Sequence, residues 1–188
     1  MVYRDFAGGR EGIEDALKHS SGLEAIRIAQ SLGLKITIKP TEKSYYLRIV
    51  KEKDGAKPDI IHDIGEEEFP LNTQEKNTVE NVRAMLREVY NELQFFSDLY
   101  HKQMQTVGID FFGTKSEKIS MTTIDYSIET QNQAKKILDS LLIRIIQAKI
   151  DQKDLLEEQI TSLEDQAMKD FQLILNGIAE KKKELGLK

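Results

Sequence analysis

Few residues in this chain have the types and spacing that do chemistry. There are three histidines, His19, His62 and His101, and no cysteine. Without cysteine there is no disulfide, no thiolate nucleophile and no Cys-ligated zinc. His62 and Asp63 are adjacent on a segment that reads as a strand. Neighbouring strand residues point to opposite faces, so these two do not form a dyad directly, but His62 can serve as a general base with an acid from elsewhere. Asp98 and His101 stand i, i+3 on a predicted helix, which is half of a carboxylate-bundle metal site. The other half needs a second histidine, and none follows His101. The pair therefore reads as a surface Asp/His pair. His62 and Asp63 are the weak catalytic candidates, and no metal or cofactor is expected.

Other short patterns favour bland readings. Gly8, Gly9, Arg10, Glu11 and Gly12 precede a helix and can present N–H groups to an anion. They lack the Gly-Lys-Ser/Thr ending of a phosphate loop. No Gly-x-Ser-x-Gly is present, so an elbow serine has no support. Glu66, Glu67 and Glu68 read, with Pro70, as a solvated linker. Two sets of residues suit recognition better. Tyr46 and Arg48 put an aromatic and a base on one strand face, with Tyr45 expected in the core. Ile109, Phe111 and Phe112 are large apolar residues in a connection between helices. They either plug the end of a bundle or form an exposed docking tip.

The elements that carry these residues follow from patterning. Ser21-Gly22-Leu23-Glu24 has capping-box spacing, and Gly33 stands where a helix needs a left-handed stop. This predicts a helix over 22–32, preceded by a shorter one over 10–19. Leu34, Ile36 and Ile38, then Tyr45, Leu47 and Ile49, alternate with polar neighbours as strands do. Asp54-Gly55 marks a turn, and residues 59–64 form a third strand.

Gly and Pro interrupt helices, and none lies between Leu71 and Val107 or between Thr114 and Asn176. Val79, Val82, Leu86, Val89, Leu93, Phe96 and Tyr100 alternate spacings of 3 and 4, a heptad seam. The helix that carries them starts at Asn72 or Asn77, each followed three residues later by Glu. An irregular connection is expected over 109–121, with helix again from about Thr122. A turn near 151–154 then gives a third helix, or one helix continues through it. The turn is favoured, because a helix of that length with such an apolar face needs partners along all of it.

The expected class is α+β, predominantly α. A small helix-plus-meander head of three antiparallel strands occupies 1–70, and a long antiparallel helical hairpin or three-helix bundle occupies 71–188. The formal charge of −5 is spread evenly. Lys and Arg number 11 against 13 acids in residues 1–70, and 16 against 19 beyond. Neither part has the basic surface of a phosphate-backbone binder. The most apolar run, 137–150, is broken by Asp139, Arg144 and Lys149, so no membrane span is expected. The N-terminus has no cleavable signal pattern.

These features point to a non-enzymatic protein–protein interaction or scaffolding module that uses its long helices, by self-association or with a protein partner. One alternative is an enzyme with a site on the head around His62, Asp63, Arg48 and Tyr46. The least supported is a nucleic-acid-linked regulator. The pairing of two unlike modules resembles domains of secreted bacterial effectors and of phage or plasmid proteins. The Lys- and Glu-bearing tail, Glu180 to Lys188, resembles C-terminal signals that some effectors carry. Cytoplasmic location is the default, and the resemblance implies secretion without a cleavable signal peptide.

Overall fold

The computed structural model describes residues 10–106 and 115–186, with side chains described over 12–102 and 123–186. The fold is α+β and mainly α. Two helices, α1 (Arg10–Lys18) and α2 (Gly22–Ser31), precede three strands, β1 (Lys35–Pro40), β2 (Tyr45–Lys51) and β3 (Asp59–Gly65). Three long helices follow, α3 (Thr73–Thr106), α4 (Lys115–Ile150) and α5 (Glu157–Glu184). By contacts the chain divides into two compact units. The first is Met1–Lys76 with Leu142–Leu156, and the second is Asn77–Leu141 with Glu157–Lys188.

In the first unit, local chemistry sets both ends of α2. The Ser21 hydroxyl accepts the Glu24 N–H at 3.3 Å and so satisfies an otherwise unpaired donor of the first turn. At the other end Gly33 takes φ +70°. Its N–H bonds the Gln30 carbonyl and the Leu34 N–H bonds the Ala29 carbonyl, closing a Schellman motif. Leu34 is thus consumed by the cap, and β1 starts one residue later.

The sheet is an antiparallel meander in the order β1-β2-β3. Residues opposite one another share a face. One face carries Ile38, Leu47 and Ile64 in a row, then Ile36, Ile49 and His62. Helices α1 and α2 pack beside β3 and β1. Tyr45, Leu47, Ile49 and Ile64 are buried, whereas Ile36 and Ile38 are only half-buried, because β1 is an edge strand. A bulge at Ile49/Val50 pairs Val50 with Ile60. It leaves Ile61 without an opposite residue and so re-aims the end of β3. The glutamate run after β3 is held in place. Ser44 donates to the Glu66 carboxylate, and the buried Tyr45 hydroxyl donates to the Phe69 carbonyl.

The same unit contains the turn between α4 and α5. It begins with a second Schellman arrangement, in which Gln152 N–H bonds Lys149 O and Lys153 N–H bonds Ala148 O. The left-handed residue here is Gln152 at φ 57°, not a glycine. A Cβ in that region costs roughly 1–2 kcal/mol. Arg27 offsets the strain. Its Nη1 donates to Ile150 O at 3.0 Å, and with the Gln152 amide assigned so that its oxygen faces the guanidinium, as the two donors there require, Nε and Nη2 reach that oxygen at 2.9 and 2.7 Å. A cation at a helix C-terminus also suits the dipole. Gln152→Gly removes both the strain and the Arg27 bond, so in the wild type it is expected to be near neutral. In an Arg27→Ala background only the strain remains to be relieved, and the same change should stabilise by about 1 kcal/mol. Urea midpoints of the four proteins check this. Equal effects in both backgrounds would mean that Arg27 does not hold the turn.

In the second unit the seam Val79, Val82, Leu86, Val89, Leu93 and Phe96 is buried within the chain. Thr78 and Asn81 donate to Glu164, and Lys182 donates to Glu92, so α3 and α5 run parallel. Phe96 meets the Tyr126 ring edge to face at 5.6 Å. The two lie at matching distances before and after the α3–α4 connection, as in an antiparallel pair. Burial raises the Tyr126 pKa above the ordinary tyrosine value, against a smaller opposing effect of its bond to Thr130. Helix α4 starts at Lys115, earlier than the expected Thr122. Nothing between Thr114 and the apolar pattern breaks a helix, and polar helical turns leave no periodic trace.

Candidate functional site

The residues with recognition chemistry meet on the sheet face opposite Leu47 and Ile49. Tyr46 and Arg48 stand i, i+2 on β2 and so share that face. Arg48 lies directly opposite Asp63 of β3. The guanidinium binds the carboxylate through two parallel hydrogen bonds, Nε to Oδ1 at 2.9 Å and Nη2 to Oδ2 at 3.1 Å. It also covers the Tyr46 ring, 5.3 Å from its centroid. The bond to Asp63 raises the Arg48 pKa further above its ordinary value, against the opposing effect of burial. The Arg48 side chain is 27% exposed and that of Asp63 is 43% exposed. The group is therefore a fixed cationic–aromatic plate that solvent reaches. A side chain already held in one geometry loses less freedom when a partner docks on it.

Beside the plate lies an open cleft of about 1050 Å³, lined by Ser44, Tyr46, Asp63, Glu66, Glu67, Glu68 and Lys76 among others. The cleft is acidic apart from Lys76. Among the described residues no group of three or more His, Asp or Glu is arranged to hold a metal ion.

The sequence candidates separate in space. His62 lies opposite Ile49 on the helix-covered face, while Asp63 turns the other way to Arg48. His101 is exposed, with its ring 5.6 Å from that of Tyr100, and Asp98 accepts from Gln94. Ile109, Phe111 and Phe112 lie outside the described residues.

Sequence reasoning missed the Arg48–Asp63 pairing, because register across β2 and β3 depends on the bulge as well as on the turn. It also missed Glu75, whose carboxylate is 1% exposed and bonds Lys149 Nζ at 3.0 Å. Only the Asn72–Glu75 spacing hinted at that residue. No described helix is long and apolar enough to cross a membrane. Compared with family models, with curated proteins and with solved structures, the chain matches none.

Proposed function

We propose that this chain is a non-enzymatic protein-interaction module whose docking anchors are Tyr46 and Arg48. The observation that carries this reading is the fixed plate formed by Tyr46, Arg48 and Asp63 on an accessible sheet face. Tyr and Arg are enriched among residues that dominate interface energies. The seam of α3 is buried within the chain, which favours a separate protein partner docking on the head over an intermolecular coiled coil.

The test is a quantitative cross-linking pull-down with wild type, a Tyr46→Ala/Arg48→Ala double variant and Asp63→Ala. Circular dichroism and light scattering confirm that each is folded and give its oligomeric state. A partner captured by wild type should fall at least about tenfold with the double variant. Asp63→Ala, which frees Arg48 without removing it, should give a smaller loss. Identical protein sets from all three would refute the assignment.

A further inference from the structure

Strand β1 forms one edge of the sheet. Just past its end the Thr41 N–H bonds the Ser44 carbonyl at 2.8 Å, in the register that sets Pro40 opposite Tyr45 and Lys39 opposite Tyr46. Bonded and non-bonded pairs alternate along an antiparallel ladder. Lys35, Thr37 and Lys39 therefore turn their backbone groups toward β2, while Ile36, Ile38 and Pro40 turn theirs outward. Proline has no N–H, so it suits the outward position at the strand's end. The outward N–H and C=O groups of Ile36 and Ile38 have no partner among the described residues.

The side chains along this open ladder differ by face. Ile36 and Ile38 are half-buried on the helix-covered face. A cavity of about 190 Å³ opens beside Ile36, lined also by Leu34 and, from the end of α4, by Gln147 and Ile150. The other face carries Lys35, Thr37 and Lys39, next to Tyr46 and Arg48. Lys35 holds Glu52 in an exposed pair, and Lys39 has no acidic partner among the described residues. A second copy of β1 fits this edge poorly. Antiparallel pairing about Thr37 sets Lys35 opposite Lys39, and like charges directly opposite repel. The sheet's other edge strand, β3, carries the bulge at Ile61, which disturbs a ladder.

We infer that β1 receives an extended segment of the partner protein as an added antiparallel strand. Residues opposite one another share a face. The segment facing 35–39 therefore reads acidic–apolar–any–apolar–acidic. Its acids face Lys39 and Lys35, and the apolar side chain opposite Ile36 enters the cavity there. This rests on the docking role proposed for Tyr46 and Arg48, which lie one strand further in.

Selection of a random-peptide display library on the full chain, followed by amide hydrogen exchange, tests it. The Ile36 and Ile38 amides should exchange freely in the chain alone, and an enriched peptide carrying the pattern should protect both. N-methylation of either apolar residue of that peptide, whose N–H faces β1, should weaken binding about tenfold, and N-methylation of the central residue, whose N–H faces away, should leave it within about twofold. Lys39→Glu should weaken binding about tenfold. A peptide with lysine in place of the facing acid should restore it, which also shows that the variant is folded. Ile36 and Ile38 amides already protected in the free chain, no enriched peptide with the pattern, or equal effects of N-methylation at all three positions would each overturn the added strand. If any of these occurs while the pull-down still depends on Tyr46 and Arg48, the edge assignment alone falls and the docking reading stands.

Discussion

Glu75→Ala is expected to lower the unfolding free energy by about 3–5 kcal/mol, a large part of the 5–15 kcal/mol typical of a domain. The first reason is local. Asn72 Oδ1 accepts the Glu75 N–H and Glu75 Oε1 accepts the Asn72 N–H, both at 2.8 Å, a reciprocal cap on α3. Losing such a cap costs typically about 1 kcal/mol. The larger reason is Lys149, whose side chain is 16% exposed and donates to the same Oε1 at 3.0 Å. Without Glu75 a nearly buried ammonium keeps its desolvation penalty and loses its counter-charge. Glu75→Gln separates the two effects. The amide oxygen still accepts from Asn72, while the charge is gone, so its loss should fall between wild type and Glu75→Ala. Adding Lys149→Met to Glu75→Ala should recover stability, because no charge is then left unpaired. Urea unfolding of the four proteins decides the matter. A loss below about 1 kcal/mol for Glu75→Ala would show that the pair contributes no more than an exposed one.

How legible each feature was depended on how far apart the interacting residues lie in the chain. The cap at Ser21, the stop at Gly33, the alternation of β2 and the heptad seam of α3 all stand in windows of a few turns. Each was readable because one local rule fixes it. The start of α3 was narrowed to Asn72 or Asn77, and the reciprocal bonds with Glu75 select Asn72. The turn after α4 was readable only as an interruption, because its left-handed residue is Gln152 rather than glycine. What permits that residue is Arg27, more than a hundred positions earlier in the chain. The candidate site divides in the same way. Tyr46 and Arg48 were placed on one face by period 2. Asp63 was read as a neighbour of His62, but its working partner is Arg48 across the sheet. Charged residues at half-buried or buried positions, such as Glu75 and Arg83, look like surface residues until their helices have neighbours.

Gly22→Ala should destabilise by about 3 kcal/mol, although alanine is ordinarily the better helix residue by about 1 kcal/mol. Gly22 is the first residue of α2, directly after the Ser21 cap. A Cβ built there would lie 2.1 Å from the Glu68 carbonyl oxygen and 2.6 Å from its carbon. Both atoms are backbone, so no rotamer change relieves the overlap. The chain after β3 must move, and with it the segment that places the Phe69 carbonyl against the Tyr45 hydroxyl. Gly177→Ala on α5 provides the control. Its new Cβ would meet only the Tyr126 hydroxyl at 3.8 Å, an ordinary contact, and the backbone there is helical. The propensity gain then stands alone, and stability should rise by roughly 0.5–1 kcal/mol. The same substitution in two helices of one chain thus carries opposite signs, set by a single carbonyl. Thermal unfolding of both variants reads the difference directly. If Gly22→Ala matched or exceeded wild type, the segment at Glu68 would have to stand further from α2 than described, and the glutamates lining the cleft would move with it.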